Sequence, residues 1–298
     1  MSNPHATRSN VSRGVLMVMT SVVFFSVGDL LAKYLTRFYP IPLIVWARFA
    51  CHLLLVVILL GPRHGRALVR TKRPLMQFMR GVLLLFGSLF FIGALKYMPL
   101  AEATAIAYLA PLLVTLMSVL FLKEKVEPAR WVAVICGFIG VLIIIRPGSG
   151  VFTWAALLPI GNALSFATYQ ILTRRLAGLE SPYTSIFYVG LVGTALMSVV
   201  VPGVWTPPQT LQHVAVFGAI GLLGVLGHLI LIKAYDHAPA SRLAPFSYSQ
   251  LIWVAAIGFF AFGDFPDVWS LFGIAVLVAS GVYIASHQRR QARLDDSR

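Results

Sequence analysis

Long apolar stretches with almost no charge recur from one end of this chain to the other, and few folds accommodate them. In order they cover residues 14–35, 42–60, 75–95, 100–122, 129–145, 152–172, 183–201, 211–232, 243–262 and 268–286. A helix needs about 20 apolar residues to cross the hydrocarbon core of a bilayer, and these runs approach or reach that length. Hydrophobic residues make up 58% of the 298 and charged ones 11%, a balance suited to lipid rather than water. The runs are continuous, without the polar-in, apolar-out alternation of a transmembrane barrel. The expectation is an all-α polytopic membrane protein of about ten transmembrane helices.

The chain also repeats itself. A segment beginning ALKYMPLAEATAIAYLAP at Ala94 returns as AYDHAPASRLAPFSYSQ at Ala234, pairing Pro99 with Pro239, Tyr108 with Tyr248 and Glu124 with Asp264, each 140 positions apart. Upstream, Gly81 meets Gly221 and Gly87 meets Gly227; one further residue of shift brings Lys33 onto Arg174 and Leu35 onto Leu176. Half the chain length is far too long a period for a solenoid of small repeats. The expected organisation is a tail over 1–13, five helices in 14–148, five more in 149–286 and a basic tail over 287–298. Five is an odd number, so the second half enters the membrane with the opposite polarity. Inverted repeats are a recurring plan of secondary transporters, whose site lies at the midplane and opens alternately to either face.

A net charge of +14 raises the question of nucleic acid, but its distribution answers it. Arg63, Arg66, Arg70, Lys72 and Arg73 fill the second connection, Lys123, Lys125 and Arg130 the fourth, and Arg289, Arg290 and Arg293 follow the last run. The seventh connection has no positive charge. Loops rich in Lys and Arg stay cytoplasmic, which puts both termini inside and assigns the charge to orientation and anionic lipid. The first apolar run is full length and lacks a small-residue cleavage site, so no cleaved signal peptide is expected. Cys51 and Cys136 lie inside runs without metal-like spacing.

Polar residues inside the runs are the candidate site, because a charge in a membrane helix is costly and marks function by default. Asp29 and Lys33 are four apart on one helical face, and Gln170 and Arg174 occupy the mirrored positions, so the two pairs are expected near opposite gates. Arg48 and His52 share a face of the second run; Arg48 lies close enough to its start to anchor at the interface. Ser88 and His228 recur at one depth in both halves. Tyr108 precedes Pro111 and Tyr248 follows Pro245, with Gln250 two residues on. A proline removes a backbone hydrogen bond, which membranes tolerate where a neighbour or a wet cavity satisfies the freed carbonyl. Ser88, Tyr108, His228, Tyr248 and Gln250 are therefore expected to line a chamber, with Asp29, Lys33, Arg48, Gln170 and Arg174 as gating or coupling groups. Pro159 is a candidate third break. The fifth and tenth runs are almost purely apolar and read as lipid-facing or dimer-packing, which leaves a homodimer open. The chain has no phosphate-cradling G-x-x-x-x-G-K-[ST] loop, no H-E-x-x-H and no carboxylate cluster for a metal. No cofactor and no catalytic residue is expected.

The stretches AIAYLAPLL, LKEK, GFIGVLIIIRPG and AYDHAPASRLAPFSYSQL resemble the EamA type of the drug/metabolite transporter superfamily over nearly the whole chain, from Gly14 to His287. The resemblance implies ten helices in an inverted-repeat basket that moves small organic solutes across the bacterial inner membrane without ATP or metal. Within that group SVGDLLAKYL, TKRP…RG and KAYDHAPASRLAPFSYSQ…FGDFPD are similar to S-adenosylmethionine transporters, at positions that include Asp29, Lys33, Arg48, Arg80 and Tyr248. Gln250 departs from the acid expected there. The reading is a carrier for a small polar or amphipathic metabolite, S-adenosylmethionine-like or derived from an amino acid. An efflux carrier for amino acids or toxic amphiphiles, a vitamin uptake carrier, and a lipid-handling or scaffold protein are the alternatives.

Overall fold

In a computed structural model, residues 4–122, 128–146, 154–176, 179–238, 243 and 246–295 are described. They form eleven α-helices, joined in places by short 3₁₀ turns, with no strand among the described residues: α1 (Pro4–Leu35), α2 (Ile41–His64), α3 (Pro74–Tyr97), α4 (Leu100–Ala107), α5 (Ala110–Leu122), α6 (Pro128–Ile145), α7 (Leu157–Leu176), α8 (Pro182–Val200), α9 (Leu211–His237), α10 (Ser249–Phe262) and α11 (Val268–Asp295). In lipid every backbone polar group must find its partner inside the protein, and continuous helices do this within one segment. By length and composition seven stretches are able to cross a bilayer: Val11–Leu35, Ile41–Leu68, Pro74–Tyr97, Leu100–Phe121, Trp154–Leu176, Pro182–Val204 and Leu211–Ala234. Trp131–Ile145, Ser249–Phe262 and Val268–Tyr283 are shorter apolar helices.

Pro111 acts as its chemistry dictates. Lacking an N–H, it interrupts the ladder, and the fourth run divides into α4 and α5 around Tyr108 and Leu109. Pro159 does not break its helix: it lies in the first turn of α7, where a missing N–H costs nothing. Glu124, Pro239 and Pro245 lie outside the described residues.

The helices pack by exchange between halves. α1 lies on α9 and α7 on α3; α2 lies on α9 and α8 on α3; α1 meets α10 while α7 meets α5; and α2 meets its own counterpart α8, as α6 meets α11. Individual contacts follow the repeat register. Ser21 Oγ donates to the carbonyl of Gly227 at 2.9 Å, and Asn162, 141 positions after Ser21, donates through Nδ2 to the carbonyl of Gly87, also at 2.9 Å. A Cβ added at Gly221 would run into Cys51, and one at Gly81 into Val192, again 141 positions after Cys51. Lipid tails are as apolar as leucine, so these helices associate through close approach of small residues and through interhelical hydrogen bonds, the latter averaging about 0.6 kcal/mol each.

The bundle has two polar ends. α1 ends, α2 begins and α9 begins at the first, where Tyr39 Oη lies 2.8 Å from His213 Nδ1 and accepts from the Gln209 N–H. At the second, α7 ends and α3 and α8 begin; there Glu180 accepts from the Thr71 hydroxyl and from the backbone N–H groups of Lys72 and Arg73. α6 and α11, expected to face lipid or a second copy, pack on each other, with Gly140 and Gly273 in backbone contact.

The α2–α8 crossing offers a test of this packing, since the Phe49 ring fills the space beside Gly193. Gly193→Val should cost about 1–3 kcal/mol, the usual penalty of overpacking, and lower the unfolding temperature of the detergent-purified protein. Gly203→Val, with open space around it, should leave that temperature unchanged.

Candidate functional site

The break between α4 and α5 aims one side chain at the start of α10. Tyr108 Oη donates to the carbonyl of Ser247 at 2.6 Å and lies 3.1 Å from Gln250 Oε1. The rings of Tyr108 and Tyr248 stack at 5.0 Å, tilted by 38°. Tyr248 occupies the turn just before α10, and its ring fills the space beside Gly281 of α11. Three of the five expected chamber residues thus converge, each at a helix discontinuity, where backbone groups are free to take partners outside their own helix.

His228 belongs to a neighbouring layer. Its ring packs edge-on to Phe25 at 4.9 Å and lies 6.5 Å from the ring of His52. A small cavity between the two histidines, of about 10 Å³, is lined otherwise by Val56, Leu59, Leu60, Ile186, Val225 and Leu229. His52 Nε2 is buried without a hydrogen-bond partner. Ser88 is half-buried on α3 beside Gly87 and joins neither group by a hydrogen bond. Gly218 and Gly224 face open space, so of the α9 glycines Gly221 and Gly227 carry the close packing.

The charged residues separate in a way that sequence spacing does not give. Lys33 does not bond Asp29. Its ammonium donates to Asp264 Oδ2 at 2.7 Å and to the carbonyl of Met98 at 3.0 Å, over the ring of Phe262 at 5.2 Å. Gly263, at φ 74° after α10, supplies the left-handed residue that ends the helix and turns Asp264 toward Lys33. The equivalent pair by register is Arg174 with Glu124, the latter outside the described residues; Arg174 itself is exposed in the last turn of α7. Gln170 is half-buried one turn earlier. Asp29 is 8% exposed, within electrostatic reach of Arg48 and Tyr108, and has no hydrogen bond or ion pair among the described residues. Arg48 is half-buried, and also reaches His52 and His228 electrostatically.

At the second end a network appears that the spacing of single residues did not reveal. Arg80, 2% exposed, donates to Thr173 Oγ1 at 3.0 Å, to Gln77 Oε1 at 2.8 Å and to Tyr169 Oη at 3.1 Å, with its guanidinium 4.8 Å from the Tyr169 ring. Gln77 in turn donates to Ser185 Oγ. The register maps Ser185 onto Ile44, Thr173 onto Ala32, Gln77 onto Phe217 and Arg80 onto Ile220. All four counterparts belong to one apolar cluster. Repeat alignment would have exposed this contrast; the identity of each residue alone would not.

A duplicated helical bundle with membrane-length apolar helices, which draws opposed charges and a pair of tyrosines between them, is the architecture of a polytopic membrane protein. The chain belongs to the EamA-like transporter family, whose pattern matches residues 12–146 and again 153–286. It is 30% identical over 281 residues to the S-adenosylmethionine uptake transporter of Rickettsia bellii, covering 94% of this chain and 95% of that one. Identity to the riboflavin transporter of Vibrio cholerae is 30% over 287 residues, with 94% and 95% covered. To the pseudopaline exporter CntI of Pseudomonas aeruginosa it is 28% over 276 residues, with 91% and 95% covered. The protein is a small-molecule transporter of the EamA family and a bacterial multi-pass inner-membrane protein, not an enzyme.

The Lys33–Asp264 bond is partly shielded, the two side chains being 11% and 35% exposed. A double-mutant cycle with Lys33→Met and Asp264→Asn, read as unfolding temperature, should give a coupling on the order of 1 kcal/mol, discounted for the exposure of Asp264. The same cycle with Asp29→Asn in place of Asp264→Asn should give no coupling.

Proposed function

We propose that the chain is a secondary transporter that carries a small polar or amphipathic metabolite, of the S-adenosylmethionine kind, across the inner membrane by alternating access. In this reading residues 14–148 and 149–286 are two five-helix halves of opposite polarity, ten crossings in all, with the tails 1–13 and 287–298 in the cytoplasm. The carrying observation is the exchange packing: α1 ends where α9 begins, and α7 ends where α3 begins, with the Ser21–Gly227 and Asn162–Gly87 bonds as a matched pair. Two halves that pack in this way have two related arrangements, and exchanging them opens opposite mouths. The Arg63–Arg73 connection and the end of α7 at Arg174 and Arg175 supply the positive charge that keeps the second end cytoplasmic.

Tyr108, Tyr248 and Gln250 line the central site, with Ser88 and His228 on the helices beside it. Asp29, Lys33, Arg48, Gln170 and Arg174 serve the gates and the coupling; the Lys33–Asp264 bond closes the outer mouth. The Pseudomonas relative is an exporter, and a carrier driven by exchange runs in whichever direction the gradients set, so efflux is the second reading. Counterflow in proteoliposomes preloaded with S-adenosylmethionine, riboflavin or aromatic and aliphatic amino acids tests the proposal. Accumulation of one labelled compound, abolished by Tyr248→Ala, is expected. Absence of counterflow for every compound, from protein shown to be folded, would reject the carrier reading for these substrates.

A further inference from the structure

Asp29 and Arg48 stand level with each other. Asp29 is six residues before the end of α1 and Arg48 seven after the start of α2, so at 1.5 Å per residue they lie about 9 and about 10 Å from the turn that joins the two helices. One helical turn deeper on the same faces, Phe25 on α1 and His52 on α2 both approach His228 of α9. That shared neighbour turns the two faces toward one space, into which Tyr108 also reaches electrostatically. The two opposite charges do not bond each other, and neither has a hydrogen-bond partner among the described residues. A buried carboxylate held at more than bonding distance from a guanidinium leaves both groups short of compensation, a costly arrangement unless a ligand completes it.

We propose that Asp29 and Arg48 are the two poles of a head-group subsite for a zwitterionic substrate, Asp29 taking an ammonium and Arg48 a carboxylate. The inference rests on the carrier reading above and narrows its substrate class to molecules with an α-amino-acid head. Arginine suits the carboxylate because its planar fork donates two parallel hydrogen bonds, whereas an ammonium is a compact donor that one carboxylate satisfies. Tyr108, Tyr248 and Gln250 then lie where the body of the substrate stacks and hydrogen-bonds.

The test pairs protein charges with ligand charges. Inhibition of counterflow, and stabilisation of the full chain against heat, are measured with S-adenosylmethionine, its decarboxylated form, its deaminated form and 5′-methylthioadenosine, which has no head at all. On the wild type, loss of either pole of the ligand should weaken binding at least about tenfold. Arg48→Gln should bind S-adenosylmethionine and the decarboxylated form alike, while still rejecting the deaminated form; Asp29→Asn should do the reverse, and Asp29→Glu should restore part of the preference. Equal weakening of all ligands by either variant, or a wild type indifferent to the missing poles, overturns the subsite, and the second outcome needs no variant to fold. Riboflavin counterflow at the wild-type rate in both variants would overturn the subsite and leave the carrier reading intact. No counterflow with any compound, from protein shown to be folded, would reject the carrier reading for these substrates and the subsite with it.

Discussion

A chain in hydrocarbon must satisfy its own polar groups, and the rest of this structure depends on that constraint. Helices meet it alone over most of their length, but every helix end and every proline creates carbonyls and N–H groups that need another partner. Here those gaps are where the two halves meet. The break at Pro111 frees the turn that carries Tyr108, and the hydroxyl of Tyr108 is taken up by the Ser247 carbonyl just before α10. Glu180 accepts from the two backbone N–H groups just before α3, and Tyr39 accepts from the connection that leads into α9; Tyr39 and Glu180 themselves stand 141 positions apart. The same requirement that holds the bundle together therefore brings polar side chains into its centre.

The helical class and the duplication were legible in the sequence because both are written in features of long range: apolar runs of membrane length, and a register that holds at Pro99 and Pro239, Tyr108 and Tyr248. The same register pairs Tyr108 with Tyr248, and these two equivalent positions meet in the fold with Gln250 beside them. Helical spacing put Asp29 and Lys33 on one face, yet the face is wide enough for one to turn toward Asp264 and the other toward Arg48. Spacing fixes an angle around an axis to within a few tens of degrees, and the choice of partner is made by the neighbouring helices. Pro159 was misread because its effect depends on where its helix begins, a boundary that hydropathy locates only to within several residues. Ser88 and His228 share a depth by register, but their surroundings differ because the halves have diverged around them.

That divergence is sharpest between the buried polar network around Arg80 and its apolar equivalent. One seam of the bundle is closed by Arg80, Gln77, Tyr169, Thr173 and Ser185, the opposite one by Ala32, Ile44, Phe217 and Ile220. Parting the first exchanges protein hydrogen bonds for bonds to water, a nearly even trade. Parting the second wets aliphatic and aromatic surface, which raises the heat capacity and costs more free energy as the membrane warms. Two halves of nearly the same architecture thus carry seams with different thermal signatures. Cooling weakens the apolar seam relative to the polar one, and warming strengthens it.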